Sequence, residues 1–264
     1  MYISTLRMPG GRYGLRQVVR SELTKIASLR STFWTLIVTA VGTVAVTILT
    51  TANVHHGPGP GFYRGFDATN SALTGLALAT LAIGVFGILA ATGEYGTGTI
   101  RSSLTATPRR RLFLVGKVLV VGAIALAVSE VLTFTCFWIG QAVLSAGGVS
   151  SATIGQPGVL RAVALSGAFL ALLGLLALGL GVIIRHTAGA MAAYVGITFL
   201  IPLLIHNLPG TPVRYTPVGM LANSVSATVP QAGQVSAPEG LLLMALYTTV
   251  VLGLAAVLIA RRDA

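Results

Sequence analysis

Long apolar runs separated by short polar or basic stretches dominate this chain. Nearly unbroken windows of apolar and small residues cover positions 32–52, 71–92, 112–146, 159–184, 188–206 and 240–260. At about 1.5 Å per helical residue, each window can cross roughly 30 Å of hydrocarbon, so the pattern predicts six transmembrane helices. Ahead of the first window, Leu15, Val18, Val19, Leu23, Ile26 and Leu29 recur at helical spacing while Arg16, Arg20 and Lys25 fall elsewhere. That pattern predicts an amphipathic helix lying in the membrane interface. Between the fifth and sixth windows, Pro209, Pro212, Pro217, Pro230 and Pro238 rule out one continuous helix. Within that stretch Thr216-Pro217 suits the start of a short helix, with Val218, Leu221, Val225 and Val229 on one face. The expected fold is therefore an all-α membrane protein with six transmembrane helices, an N-terminal amphipathic interfacial helix and a short helical external segment between helices 5 and 6. It divides into residues 1–31, a cytoplasmic N-terminus; 32–260, the transmembrane domain; and 261–264, a cytoplasmic C-terminus.

Composition supports a bilayer as solvent. The chain has 264 residues, 54% of them hydrophobic and only 9% charged, whereas a soluble domain carries about a quarter charged residues. The first window lies too far from the N-terminus, and runs too long, for a cleaved signal peptide, so it is expected to remain as an anchor. The third window is longer than the hydrocarbon is thick, which predicts that its first turns project into water with Lys117 near the headgroups. The net charge of +11 raises the question of nucleic acid. Yet the arginines stand at the ends of apolar runs rather than in a basic domain, and no nucleic-acid partner is expected. With the N-terminus in the cytoplasm, 14 of the 17 basic residues fall on the cytoplasmic side, leaving only Arg64, Arg161 and Arg214 outside. The positive-inside rule thus predicts that both termini are cytoplasmic.

Candidate chemistry is sparse. No phosphate-cradling G-x-x-x-x-G-K-[ST] run, His-Glu metal signature or nucleophile elbow is present in the sequence. No catalytic residue, resident cofactor or metal site is therefore expected, and the chain is not expected to hydrolyse ATP. His55 and His56 read as loop decoration, and His186 and His206 as residues at span ends. The single cysteine, Cys136, sits inside an apolar run and suggests neither an intrachain disulfide nor a cysteine metal site. Among six acidic residues only Glu130 falls well inside a span, with Ser129, Thr133 and Gln141 nearby on the helix. An intramembrane carboxylate is costly and should face a cavity or another helix, which makes Glu130 and Thr133 candidates for a pathway or gating role. Small-xxx-small pairs such as Gly75/Ala79, Gly87/Ala91 and Gly167/Ala171 permit close helix packing, although a composition this rich in small residues produces the spacing by chance.

The only strongly basic, polar stretch between two long apolar runs is the loop joining the second and third spans. It reads Glu94-Tyr95-x-x-Gly98-Thr99-Ile100-Arg101-x-x-Leu104-x-x-x-Pro108-x-Arg110, with Lys117 at the head of the next span. Taken with the interfacial N-terminal helix and six spans in this order, it resembles the first cytoplasmic loop of type-two ABC exporter permeases. The resemblance implies that two permease copies form the substrate pathway, each bound to a separate ABC ATPase subunit carrying ATP and Mg. The loop would then supply the coupling helix that docks on the ATPase. Residue by residue, that role falls on Glu94, Tyr95, Gly98, Thr99, Ile100, Arg101, Leu104, Pro108 and Arg110. Thr97 or Thr99 would cap the short helix, Ile100 and Leu104 would share a face, and Pro108 would end it. The location implied is a bacterial cytoplasmic membrane, and the cargo is left open by the resemblance. Spans poor in charge but supplied with hydroxyls at Thr39, Thr43, Thr47, Thr74 and Thr80 favour a hydrophobic or amphipathic cargo. Competing readings are a self-contained secondary transporter or channel using Glu130, and a membrane anchor or sensor that transports nothing.

Overall fold

The computed structural model describes residues 14–28, 30–56, 66–96, 98–99, 110–206, 212–227 and 235–261. Among them all regular structure is helical. The order is α1 (Leu15–Ser28), α2 (Arg30–Ala52), a 3-10 turn at Asn53–His56, α3 (Ala68–Leu73), α4 (Leu76–Gly96), α5 (Arg110–Ala146) and α6 (Val159–Ile184). Then come α7 (Thr187–Val195), a π-helical turn at Gly196–Leu200, α8 (Ile201–Ile205), a 3-10 turn at Pro212–Tyr215, α9 (Pro217–Ser224) and α10 (Ala237–Arg261).

Six stretches among the described residues are long and apolar enough to cross a membrane: Trp34–Ala52, Ala68–Gly96, Arg110–Ala146, Val159–Ile184, Thr187–Ile205 and Ala237–Arg261. They suggest a multi-pass membrane protein. The second stretch starts earlier than its apolar run because Asp67 caps it, accepting from the backbone N–H groups of Thr69 and Asn70 at 2.9 and 3.1 Å. It also continues past the apolar run through Glu94 and Tyr95, and α5 extends over 37 residues, about 55 Å. The fifth stretch is not a regular α-helix. Pro202 has no N–H to return to the carbonyl four residues earlier, and just before it the ladder loosens into the π turn, where Ile201 N–H reaches the Gly196 carbonyl.

Helix α6 is the hub. It packs against α4, α5 and α10, and buries Phe169, Leu170, Leu173 and Leu178 in the common core with Phe137, Tyr194 and Met244. Lipid is as apolar as the helix surfaces, so association here depends on close approach rather than on water exclusion. The α4–α6 crossing supplies it: a Cβ on Gly87 would collide with the Gly174 carbonyl, and one on Gly181 would press on Ala91. The Gly87/Ala91 spacing, uninformative in the sequence, therefore lies at a helix crossing.

Alternating helix directions give the bundle two ends, each held by polar contacts. At one end α1, the C-terminus of α4, the start of α5, the α6–α7 turn and the C-terminus of α10 converge. Arg110 Nη1 donates to the Ile259 carbonyl at 3.4 Å, and the Thr187 hydroxyl donates to that of Thr92 at 2.8 Å. At the other end Ala227 N–H donates to Asp67 Oδ2 at 2.7 Å, and Gln141 bridges the Ala68 carbonyl and the Ala152 N–H at 3.0 and 2.7 Å. The 3-10 turn before α9 reaches further in. Tyr247, ten residues or about 15 Å along α10, donates its hydroxyl to the Tyr215 carbonyl at 3.3 Å. Helix α9 then climbs back, with Arg161 reaching the Ser226 carbonyl at 3.4 Å. It starts where Thr216-Pro217 predicts, the Thr216 hydroxyl accepting from Gly219 N–H, and it buries Leu221 and Val225. Val229 lies outside the described residues.

Candidate functional site

The apolar stripe of α1 has a flaw visible in the sequence: Glu22 falls in its middle, four residues after Val18 and four before Ile26. In the fold this stripe lies on α5. Val18 packs on Gly116, while Leu15 and Leu23, expected on the apolar face, are exposed. Burying Glu22 to 1% exposure would cost several kcal/mol without a partner. The partner is Lys117, on the helix below, itself only 4% exposed.

Lys117 Nζ donates to Glu22 Oε2 at 2.6 Å, to Glu94 Oε1 at 2.8 Å and to the Ala90 carbonyl at 3.1 Å. All three ammonium protons are thus satisfied. Lys25, one turn after Glu22, donates to Glu22 Oε1 at 2.6 Å and to Glu94 Oε1 at 3.0 Å. Both ammonium groups stand 5.3 Å from the centre of the Phe113 ring, which adds a cation–π attraction in a poorly solvated site. The second oxygen of Glu94 is buried with no hydrogen bond among the described residues. Burial pulls the Lys25 ammonium down, but its hydrogen bonds and charge attraction to Glu22 and then Glu94 outweigh this, leaving it above the usual lysine range. Two positive and two negative side chains therefore form a neutral square joining α1, the end of α4 and the start of α5.

The square also supplies the environment of Lys117: it is enclosed beneath α1 in an ion cluster with Glu22 and Glu94. The chain contains 15 arginines but only two lysines, and both are here, with two of its six acids. A signal was available: a rare compact ammonium inside an apolar run, and an acid inside an apolar stripe. Pairing them needed the packing of α1 on α5, which no periodicity reveals.

The other candidate loop residues flank this square. The Tyr95 ring lies under the guanidinium of Arg185 at 5.4 Å, joining the end of α4 to the α6–α7 turn. Arg185 holds a left-handed backbone with φ 59° and closes α6, and His186 caps α7 through Nδ1, which accepts from Gly189 N–H at 3.3 Å. Gly98 has φ 70°, with open space where a Cβ would stand, so backbone conformation is the reason for glycine here. Thr99 is exposed, and Arg110 holds the end of α10. Thr97, Ile100, Arg101, Leu104 and Pro108 lie outside the described residues, as does the short helix expected there.

Glu130 and Thr133 sit one turn apart on α5 and differ in burial. Thr133 is fully buried and returns its hydroxyl to the Glu130 carbonyl at 3.0 Å. The Glu130 side chain instead leaves the bundle core, half-buried in the seam between α5 and α6, where a Cβ on Gly167 would come within 2.6 Å of its carboxyl carbon. Ser129 is buried, and Gln141 serves the far end of the bundle. The hydroxyls of Thr39 and Thr80 return to their own helices, at the Thr35 and Leu76 carbonyls, and leave little polar lining.

No family model matches the chain, and no curated protein matches it at a significant level. The class defined by the fold is a helical bundle with six membrane-compatible helices and one buried ionic square at the ends of a basic loop.

Proposed function

We propose that this chain is the permease subunit of a bacterial type-two ABC exporter. Two copies form the substrate pathway and each binds a separate ATPase subunit, which carries the ATP and Mg. The supporting observation is the square of Glu22, Lys25, Glu94 and Lys117. It clasps both ends of the basic loop to α1, so a push on that loop moves α4 and α5 together instead of being lost in a hinge. Buried ion pairs are weak contributors to net stability, and one at this position is better explained by rigid geometry. In this reading α1 lies in the cytoplasmic interface, both termini are cytoplasmic, and α9 with its preceding turn is the external segment, dipping into the outer leaflet as an exit cap. The cargo is hydrophobic or amphipathic, since the helices offer almost no polar lining.

The test is co-purification with a phosphate-loop ATPase encoded next to this chain, followed by nucleotide-driven transport in vesicles. Replacing Ile100→Asp or Leu104→Asp should leave membrane insertion intact while abolishing ATPase binding or uncoupling hydrolysis from transport. Normal coupled transport by both variants, or nucleotide hydrolysis by the partner-free chain, would overturn the assignment.

A further inference from the structure

A groove of about 520 Å³ opens beneath the 3-10 turn that precedes α9, within the size range of small-molecule sites. Its two ends differ in chemistry. Toward the ionic-square end of the bundle the walls are aliphatic, with Leu180 on α6, Ile197 on the π turn, and Val250 and Val251 on α10. A Cβ on Gly179 would meet Val251, so this stretch of α6 lies level with a point on α10 four residues, or about 6 Å, beyond Tyr247. At the opposite end the lining is polar: Thr216, Tyr215 and Tyr247, whose hydroxyl donates to the Tyr215 carbonyl at 3.3 Å. Arg214 brings a charge to that end. Its guanidinium carbon stands 4.8 Å from the centre of the Tyr215 ring, and this same ring lines the groove and is 46% exposed. The acid on the adjoining part of α10, Glu239, accepts from the Ser236 N–H and hydroxyl and does not answer this charge.

A groove that is aliphatic at one end and cationic at the other is complementary to an amphiphile with a negative head. A neutral apolar molecule would leave the charged end unmatched, and a free anion would leave the aliphatic end empty. The guanidinium fork carries five donors and suits a phosphate, so an arginine that already bonds within its own segment can still present an edge to one. We infer that the groove holds an acyl chain of an anionic phospholipid, with the phosphate at Arg214 and the chain running under the turn toward Leu180. The headgroup then points toward the α9 end of the bundle, as in the leaflet on that side, and relieves the cost of a guanidinium at the membrane. This inference rests on the membrane-spanning reading and does not require the ATPase, so its failure and a failure of coupling are separable.

The experiment uses the full chain in phosphatidylcholine nanodiscs doped with phosphatidylglycerol that carries a diazirine on one acyl chain. Illumination should label α10 near Val250 or the π turn near Ile197, as mapped by mass spectrometry, and unlabelled phosphatidylglycerol should compete. Arg214→Gln should lower this labelling at least fivefold, and Arg214→Lys, which keeps the charge, should retain most of it. Val250→Trp, which fills the groove, should abolish it with helical circular dichroism unchanged; if that variant does not fold, the Gln and Lys pair decides. Equal labelling by the matching phosphatidylcholine probe, wild-type labelling in Arg214→Gln, or labels confined to other faces overturns the proposal. So does efficient bis-maleimide cross-linking of Val250→Cys, in a Cys136→Ala background, to a second copy in membranes, which would show the groove covered by protein. A chain that does not embed in the discs overturns the membrane-spanning reading and this inference together.

Discussion

Lys117 and Lys25 share the same two carboxylates but differ in what their loss would leave behind. Lys117 is enclosed, so Lys117→Ala leaves two acids in a poorly hydrated pocket with only the Lys25 ammonium between them; truncating one member of such a buried pair costs about 3–5 kcal/mol. The Lys25 side chain is 37% exposed, and water can take its place, so Lys25→Ala should cost no more than about 1 kcal/mol. Thermal melting in detergent should rank Lys117→Ala far below Lys25→Ala. Replacing the pair by Glu22→Leu and Lys117→Met together should recover most of the stability, since apolar isosteres of buried ion pairs are usually tolerated. If the Lys25 variant melts lower than the Lys117 variant, the burial assigned to the square is wrong.

Among the elements, the α4–α6 crossing brings two helix backbones into close approach. Gly87 sits against the Gly174 carbonyl, so Gly87→Leu must push the two helices apart. Overpacking of this kind costs about 1–3 kcal/mol, and a lower melting point with unchanged helical content is expected. A Leu at Gly253, where nothing stands within 4 Å of the missing Cβ, should be harmless and serves as the control. The spans themselves were legible in the sequence, because length and hydropathy suffice when the solvent is hydrocarbon. Their ends were less so. Asp67 lengthens α3 backward by capping, and the π turn before Pro202 breaks the fifth span into two pieces. Which glycines are contact points was not legible either, since the composition offers many equivalent spacings and only tertiary packing selects among them. For the ionic square, its members were visible one by one and their meeting was not.

For the molecule as a whole, the proposed orientation rests on the uneven distribution of basic residues. Single cysteines at Ser151 and Gln234 should label from outside intact cells, and ones at Thr99, Ser103 and Asp263 only after the membrane is opened. External labelling at Thr99 would reverse the orientation proposed here. The concentration of both lysines in the ionic square has a further consequence, in chemical reactivity. Apart from its N-terminal amine, this chain offers amine-acylating reagents only two nucleophiles, and both are engaged by carboxylates in the folded state. An intact molecule should therefore take up an N-hydroxysuccinimide ester slowly at Lys25 and hardly at all at Lys117. Lys117 would become reactive only when α1 lifts from α5. Mass spectrometry of the two sites then measures how often that helix detaches, and comparable rates at both in the native protein would show that α1 does not stay seated.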